Sequence, residues 1–248
     1  MKTLLKKAVP PSLRRYAAER KRSHARAALK RISARGVTVK TVIDVGASDG
    51  RWSLAAMDYF PDANYLLVEA NPVHQPALET FCRVHAQAEY ELAAASDKTG
   101  TLRFDGSVPF GGSADPENPE TAIEVKAVRL DDFATPNGPY EAPFFLKLDT
   151  HGHEVPILEG AENVLAKASL VVIEVYCYQL TPTSLLFDEM VAYMRAKGFG
   201  VVDMSDPLWR PQDKCFWQID LYFEPVSYTH LTLPTIILPC RSRWSPYH

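Results

Sequence analysis

The chain has 248 residues, of which 46% are hydrophobic and 23% are charged, and its formal net charge is −3. This length and apolar content are ample for one α/β domain with a large core, but too short for two domains of ordinary size. No apolar run approaches the roughly 20 residues that a membrane helix needs, so the sequence predicts no helical membrane span.

Hydrophobic periodicity divides the chain into alternating strands and helices. This alternation is typical of a mainly parallel sheet that is covered on both faces. The last two strands have no clear helix between them, which predicts an antiparallel edge hairpin. The predicted strands are 41–45, 64–69, 89–94, 101–104, 123–130, 144–148, 170–175, 199–204 and 216–223, and the predicted helices are 51–59, 73–85, 154–167 and 183–197.

The first strand contains Asp44 and runs into a turn with two glycines, Gly46 and Gly50. Glycine lets the backbone approach a ligand closely, and the helix that follows would point its free N–H groups to the same place. A dinucleotide fingerprint would need glycines where Ser48 and Arg51 stand, so NAD is disfavoured. The spacing resembles the first motif of S-adenosylmethionine-dependent methyltransferases, and a glycine turn without a cofactor is the alternative.

The second strand ends in Glu69. In doubly wound sheets an acid at this place, about 20 residues beyond the glycines, accepts hydrogen bonds from the ribose of a cofactor. A solvated glutamate at a strand end is the alternative interpretation. The distance from the glycine turn favours the ribose contact.

Polar side chains gather where the strand 144–148 ends, and they are Lys147, Asp149, His151, His153 and Glu154. The carboxyl ends of strands are where α/β folds place ligands. A base at this place would take a proton from a bound substrate, and Asp149 is the best-placed candidate and His151 the next. His153 and Glu154 have a structural alternative, in which one packs under the loop and the other caps the following helix.

A divalent cation such as Mg²⁺ or Mn²⁺ is a further alternative at this cluster. Asp149, His151, His153 and Glu154 could coordinate it, and it would lower the pKa of an acceptor hydroxyl. The His-x-His pattern is weakly specific, and the sequence shows no separate third ligand. No residue is therefore assigned as a metal ligand.

Six motifs together resemble the FkbM-type methyltransferases: DVGASDG, VEANP, AAASDKTGTLRF, RLDDF, LKLDTHGHEVPILEGA and VVIEV. The resemblance extends from near residue 40 to near residue 223, and the LKLD…GHE…LEGA block is its most specific part. It implies the Rossmann-like class I methyltransferase fold, with a mainly parallel seven-stranded sheet, an antiparallel edge hairpin and helices on both faces. It also implies methyl transfer from S-adenosylmethionine, most often to a hydroxyl of a sugar or a polyketide.

The resemblance assigns roles to individual residues of the cofactor site. The chain departs from the family pattern at Thr150-His151, where Val-Glu or Thr-Gln is frequent, and at Ser48-Asp49, where the turn usually contains Asn. Carried over, Asp44, Gly46, Ser48 and Gly50 line the cofactor, Glu69 holds its ribose, and Ala95 through Asp97 lie near its adenine.

Charge is distributed unevenly, because residues 1–35 contain 12 of the 27 Lys and Arg residues and one of the 30 acids. We predict a basic helical extension over 1–36 and a methyltransferase domain over 37–225. The extension could be a solvated helix packed outside the sheet, or it could contact anionic lipid, nucleic acid or the acidic body of its own protein.

Residues 226–248 differ from the rest of the chain, with three prolines, no acids and no hydrophobic period. Their start, VSYTHL, matches the translation of a transposon end used in sequencing-library adapters, so we predict a non-native tail. At the other end, the apolar stretch meets prolines too early for a cleaved signal, and the cytoplasm is the predicted location. The cysteines lack metal-type spacing and are predicted to be reduced thiols.

These observations predict an O-methyltransferase that acts on a sugar, a glycan or a glycosylated metabolite. A non-catalytic binding or scaffold protein with the same fold is the alternative, and an oxidoreductase is disfavoured by the missing third glycine. The acidic body argues against a nucleic-acid substrate. A long Gly/Pro/Ser-rich loop, 106–119, is predicted to be a substrate lid, and Tyr176 and Tyr178 are placed to reach the substrate.

Overall fold

The computed structural model describes residues 24–107, 111–114, 122–135 and 138–226. The strands are β1 Thr41–Val45, β2 Asn64–Glu69, β3 Ala88–Leu92, β4 Ala94–Ala95, β5 Gly100–Asp105, β6 Ser113–Ala114, β7 Ala122–Val128, β8 Phe144–Leu148, β9 Ala168–Tyr176, β10 Phe199–Trp209 and β11 Phe216–Pro225. The α-helices are α1 Ala25–Ser33, α2 Arg51–Met57, α3 Gln75–Val84, α4 Glu154–Glu159, α5 Glu162–Leu165 and α6 Phe187–Ala196, and 3₁₀ turns span Pro72–His74 and Leu130–Asp132.

The main sheet has seven strands in the order β10-β11-β9-β8-β1-β2-β3. The five strands from β9 to β3 in this order are parallel, whereas β11 is antiparallel to both of its neighbours. The carboxyl ends of β1, β2, β8 and β9 therefore meet at one edge. The predicted fold class, including the antiparallel edge hairpin, is confirmed.

Each face of the main sheet carries its own hydrophobic core. On one face α4, α5 and α6 contribute buried side chains such as Leu158, Val164 and Met194. On the other face α1, α2 and α3 contribute side chains such as Leu29 and Phe81. Because the central strands are covered on both sides, they appear in the sequence as continuous apolar runs rather than as alternating patterns.

A smaller sheet has four strands in the order β4-β7-β5-β6. Strands β5 and β7, which correspond to the predicted strands 101–104 and 123–130, pair antiparallel with Leu102 opposite Val125. The predicted lid, 106–119, falls partly outside the described residues, which lack 108–110 and 115–121 in this region. Its role stays a prediction.

The predicted helix 154–167 is two short helices, because the chain passes close to another loop at Gly160. A Cβ atom there would lie 2.0 Å from the backbone oxygen of Ser96. The Asp131 carboxylate then caps α5, accepting hydrogen bonds from the backbone N–H groups of Asn163 at 2.9 Å and Val164 at 3.0 Å. Asp131 belongs to the RLDDF motif, so this part of the family pattern is explained by helix capping.

The predicted helix 183–197 begins later than expected, at Phe187. The Ser184 hydroxyl accepts hydrogen bonds from the backbone N–H groups of Leu180 at 2.9 Å and Thr181 at 3.0 Å. These bonds offer the backbone a turn in place of the first helical turn.

Helix α1 is the described part of the predicted basic extension, and it packs on β10. The Arg31 guanidinium donates to both carboxylate oxygens of Asp203, at 2.8 and 2.7 Å, and His24 Nδ1 lies 2.7 Å from Asp206. The basic side chains of α1 therefore contact acids of their own protein. Residues 1–23 and 227–248 lie outside the described residues, so the domain boundaries and the non-native tail stay predictions.

Among the described residues, no helix has both the length and the apolar content to cross a bilayer.

Candidate active site

A cavity of about 650 Å³ opens at the carboxyl edge of the main sheet, a size typical of small-molecule sites. One wall, here called the turn side, is formed by the glycine turn, the end of β2 and the segment Ala93 to Ala95. The opposite wall, the acid side, follows β8, β9 and β11 and includes Asp149, His151, Glu174, Tyr178 and Trp217.

The glycine turn lies against the end of β8. Gly46 has a φ of 72°, and a Cβ atom at this position would lie 2.0 Å from the backbone oxygen of Asp149. Gly46 lines the cavity. Gly50 has a φ of 82° and lies at the start of α2, where a Cβ atom would approach the Phe81 ring to 2.7 Å. Gly50 does not line the cavity, and its left-handed backbone and its packing against Phe81 both favour glycine there.

Ser48 has an unusual combination of properties in the turn. Its φ is 52°, a left-handed conformation that costs a side-chain-bearing residue energy. Ser48 lines the cavity, and its hydroxyl is buried without a hydrogen-bond partner among the described residues. An unsatisfied buried hydroxyl is costly, and a polar group of a ligand in the cavity would satisfy it.

Glu69 joins the turn to the end of β2. One carboxylate oxygen accepts a hydrogen bond from the backbone N–H of Ser48 and the other from that of Asn71, each at 2.7 Å. The residue is 6% exposed and lines the cavity, so it is not a solvated glutamate. Since a carboxylate oxygen has two acceptor sites, Glu69 can also accept from hydroxyls of a ligand.

The segment after β3 supplies the remaining part of the turn side. Ala93, Ala94 and Ala95 line the cavity, and their small side chains leave space between β2 and α4. Asp97 is exposed and accepts a hydrogen bond from the Ser96 hydroxyl at 3.1 Å. It lies outside the lining residues, and its predicted contact with adenine stays a prediction.

The buried side chain of Lys147 contacts residues of both walls. Its ammonium group lies 2.9 Å from Asp44 and 3.3 Å from Asp149, and it donates to the Gly46 carbonyl at 3.0 Å. Burial opposes the charge, but Asp44 and Asp149 outweigh this effect and raise the pKa of Lys147. Asp44 is completely buried, also accepts from the Ser53 hydroxyl at 2.7 Å, and does not line the cavity. It supports the turn rather than facing a ligand.

Asp149 follows β8, and its side chain is 40% exposed. Desolvation by the surrounding protein opposes its ionisation, but the charge of Lys147 outweighs this effect and lowers the pKa of Asp149. Its Oδ1 atom lies 3.8 Å from His151 Nε2. Asp149 is therefore an anion that faces the cavity.

His151 is held in a left-handed conformation with a φ of 51°. Its Nδ1 atom lies 3.3 Å from the Gly112 carbonyl oxygen, which can only accept a hydrogen bond. Nδ1 therefore carries the proton in the neutral ring, and Nε2 keeps its lone pair. Nε2 faces two carboxylates, at 3.8 Å from Asp149 and 3.7 Å from Glu174.

Glu174 on β9 is a site residue whose role the sequence did not predict. Its carboxylate accepts hydrogen bonds from the Tyr176 hydroxyl and the Gln218 side-chain amide. Burial and the charge of Asp149 raise the pKa of Glu174. The available signal was an acid inside the otherwise apolar run 170–176, but nothing in the sequence showed that this strand lies beside β8.

His153 and Glu154 hold the loop after β8. Glu154 is 4% exposed and accepts hydrogen bonds from the Gly152 N–H at 2.9 Å and the Thr150 hydroxyl at 3.2 Å. His153 lines the cavity, and its Nε2 lies 3.2 Å from the Ser96 hydroxyl. Of the four candidate metal ligands named from the sequence, the structure brings together Asp149 and His151, and the third group beside them is Glu174.

Aromatic rings line the outer part of the acid side. The Tyr176 and Tyr178 rings are 6.0 Å apart, the Tyr178 and Trp217 rings are 6.3 Å apart, and the Trp217 indole donates a hydrogen bond to the Tyr178 hydroxyl. All three rings line the cavity. The two tyrosines expected to face this site do so, and the hairpin strand β11 adds the tryptophan.

The sheet order, the glycine turn and the acid at the end of β2 define a Rossmann-like fold of the class I methyltransferase type. The family model described as the methyltransferase FkbM domain matches residues 44–201. The chain belongs to this family.

Solved methyltransferase structures are similar at low identity. An FkbM methyltransferase from Methylobacillus flagellatus KT has a TM-score of 0.49 and 15% identity, over 74% of this chain and 43% of that one. A putative RNA methyltransferase from Pyrococcus horikoshii has a TM-score of 0.46 and 14% identity, over 82% and 84% of the two chains. The chain thus spans less than half the length of the first of these proteins. No curated protein matches the chain.

A third structure carries a bound product of methyl transfer. The 1,6-didemethyltoxoflavin N1-methyltransferase from Burkholderia thailandensis was solved with 1,6-didemethyltoxoflavin and S-adenosylhomocysteine. Its TM-score is 0.42 and its identity is 14%, over 82% of this chain and 80% of that one.

Proposed function

We propose that the protein is an S-adenosylmethionine-dependent methyltransferase that methylates a hydroxyl of a sugar, a glycan or a glycosylated metabolite. The observation that carries this proposal is the continuous cavity between the turn side and the acid side. A cofactor on the first wall and an acceptor on the second would meet within it. Family membership supports the reaction class.

The turn side has the groups that S-adenosylmethionine needs. Glu69 is placed to accept hydrogen bonds from the ribose hydroxyls, and the space beside Ala93, Ala94 and Ala95 suits a flat adenine. The unpartnered Ser48 hydroxyl would gain a polar partner from the cofactor. When bound, S-adenosylmethionine supplies an electrophilic methyl group on a sulfonium sulfur.

The acid side has the groups that prepare a hydroxyl. As the acceptor oxygen takes the methyl group that the cofactor would supply, its hydroxyl proton needs an acceptor on this wall. Because its pKa is lowered, Asp149 is better suited to hold the hydroxyl by a hydrogen bond than to keep its proton. His151 Nε2 presents a lone pair 3.8 Å from Asp149 and is the better candidate to take the proton. Both residues are proposed as catalytic.

The aromatic wall supports a sugar as the acceptor. Tyr178 and Trp217 offer flat apolar surfaces with little rotamer freedom to lose on binding. Asp149 and Glu174 lie beside them and can accept hydrogen bonds from sugar hydroxyls. An apolar face next to acceptor groups matches a sugar ring, which has C–H groups on its faces and hydroxyls at its edge.

The charges of the described basic residues bear on a nucleic-acid or membrane partner. The basic side chains Arg31 and His24 contact acids of the same chain, and we propose no nucleic-acid substrate. We keep two predictions from the sequence: that the basic extension contacts an anionic membrane peripherally, and that the protein is cytoplasmic.

Calorimetric titration of the protein with S-adenosylmethionine and, separately, with NAD tests the cofactor. We expect S-adenosylmethionine to bind and NAD not to bind, and the reverse result would contradict the proposal. Incubation with isotopically labelled S-adenosylmethionine and a panel of sugars and glycosides, followed by mass spectrometry, then tests the transfer. Cofactor binding without transfer to any acceptor would favour the non-catalytic scaffold.

A further inference from the structure

We propose that Asp149 Oδ1, His151 Nε2 and Glu174 Oε2 form a binding site for a divalent first-row transition-metal ion on the acid side of the cavity. The three ligand atoms come from the end of β8, the loop after it and β9. His153 and Glu154, which are close in sequence, are not part of this site.

The three atoms converge on one point of the cavity wall. His151 Nε2 lies 3.8 Å from the Asp149 oxygen and 3.7 Å from the Glu174 oxygen, and all three atoms lie within 4.8 Å of one another. Ligands that share an ion at about 2.1 Å lie about 3 Å apart in an octahedron and about 3.4 Å apart in a tetrahedron. Side-chain movements of less than about 1 Å would therefore close the site around an ion.

The far side of each ligand residue is held by a neighbour, whereas the near oxygen of Glu174 also accepts a hydrogen bond from the Tyr176 hydroxyl, which an ion would have to replace or share. Lys147 lies 3.3 Å from Asp149 Oδ2, the Gly112 carbonyl lies 3.3 Å from His151 Nδ1, and the Gln218 amide donates to Glu174 Oε1. A metal-binding histidine almost always donates its other ring N–H to a carbonyl or a carboxylate. His151 shows this arrangement, which a purely structural acid cluster does not need.

The donor atoms indicate the class of metal. Oxygen ligands alone would favour Mg²⁺ or Ca²⁺, whereas one imidazole nitrogen with two carboxylates favours Mn²⁺, Fe²⁺ or Zn²⁺. Three protein ligands on one side leave coordination positions open towards the cavity. The Tyr178 and Trp217 rings line the same wall of the cavity.

The catalytic use of such an ion rests on the proposed function, because the ion would bind the acceptor hydroxyl and lower the pKa of that hydroxyl. Metal binding itself does not depend on that function. The two ideas can therefore fail separately.

The test is a titration of Mn²⁺ into the full-length protein, pretreated with EDTA and freed of chelator, with unbound Mn²⁺ measured by electron paramagnetic resonance. We expect one Mn²⁺ per chain, at least tenfold weaker binding in Glu174→Gln and in His151→Asn, and Zn²⁺ competing more strongly than Mg²⁺. The control is Glu159→Gln, a solvent-exposed acid on α4, which should bind Mn²⁺ like the wild type. Circular dichroism reports whether each variant is folded.

The site is contradicted if the wild type binds no Mn²⁺ at millimolar concentration, or if both variants bind it like the wild type. S-adenosylmethionine titration of the same metal-free samples tests the proposed function independently. Metal binding without cofactor binding would leave the site standing and contradict the enzyme. Cofactor binding and methyl transfer in metal-free protein, without Mn²⁺ binding, would support the enzyme and contradict the metal site.

Discussion

The two walls of the cavity are built in different ways. The turn side presents backbone groups and small side chains such as Gly46, Ser48 and Ala93, and its Glu69 carboxylate is held by two backbone N–H groups at 2.7 Å. The acid side consists of charged and aromatic side chains from β8, β9 and β11, in which Asp149, His151 and Glu174 influence one another.

This difference has a chemical reason. A wall that binds the same cofactor in every turnover gains from rigid backbone, which costs little entropy on binding. A wall that must hold an acceptor and accept its proton needs groups whose charge can change. Substitutions on the turn side should therefore reduce affinity and stability, and those on the acid side should reduce turnover or change pH dependence.

The largest effect is expected from Gly46→Ala on the turn side. The new Cβ atom would lie 2.0 Å from the backbone oxygen of Asp149, and backbone cannot move aside as a flexible side chain can. We expect a loss of about 4 kcal/mol or more in the free energy of unfolding, together with loss of S-adenosylmethionine binding. Urea unfolding and calorimetry measure these quantities.

Gly36→Ala is the matched control for Gly46→Ala. Gly36 has a φ of 78°, and no atom of the described residues lies within 4 Å of an added Cβ, so this change introduces left-handed strain of about 1 to 2 kcal/mol. Equal losses in the two variants would show that close approach to β8 is unimportant.

Asp149→Asn is expected to give the next largest effect, on the acid side. It preserves size while removing the anion that faces the cavity, so turnover should fall by about 10² to 10⁴. The affinity for S-adenosylmethionine should change by no more than a few fold. Single-turnover kinetics with a verified acceptor and calorimetry separate the two quantities.

Turnover of Asp149→Asn equal to that of the wild type would make Asp149 a structural acid and move attention to His151. A large loss of cofactor affinity in this variant would instead show that the two walls are not separable.

Glu69→Ala should weaken S-adenosylmethionine binding by about tenfold to a hundredfold, equivalent to 1.5 to 3 kcal/mol for a charged hydrogen-bond acceptor. Part of the loss comes from the turn, because the Ser48 N–H loses its partner. Calorimetry of the folded variant measures the affinity. Glu91→Ala is the control, since Glu91 on β3 forms a surface ion pair with Lys126 that is worth little. Unchanged affinity in Glu69→Ala would contradict the ribose contact.

The last effect is a pH dependence of stability rather than a change in binding or turnover, and it concerns Asp220 on β11. Burial and the charges of Asp149 and Asp206 raise the pKa of Asp220 to about 7, against the opposing effects of Lys147 and the Ser205 hydroxyl. A carboxyl whose pKa is raised by folding is most favourable when protonated, and its contribution is lost as the pH rises through that pKa. The free energy of unfolding should therefore fall between about pH 4 and pH 7, by at most about 1.4 kcal/mol per pH unit.

Urea unfolding of the wild type and of Asp220→Asn across this pH range measures the contribution of Asp220. The variant should show a flatter dependence than the wild type. Parallel curves would show that Asp220 titrates normally and that the acid side is less strongly coupled than its geometry indicates.

The sequence by itself determined the architecture and the turn side of the site. Parallel strands buried on both faces leave continuous apolar runs, and a cofactor turn leaves its glycines and acid within a short segment, from Asp44 to Glu69. Local patterns of this kind can be recognised without knowing which strands are neighbours. Even so, the sequence could not tell that Asp44 lies below the turn, or that Gly50 is required for packing against Phe81.

Only the tertiary structure decided the acid side. Glu174 is 25 residues from Asp149 along the chain, and it becomes a partner because β9 pairs with β8. Trp217 and Gln218 are brought to the same wall because β11 adds antiparallel to β9. The sequence predicted one helix over 154–167, whereas the structure has two. The break lies at Gly160, where the chain contacts Ser96 from a distant segment that the sequence does not identify as a neighbour. Hydrophobic period specifies which residues are buried, but the order of strands in the sheet specifies which polar residues meet.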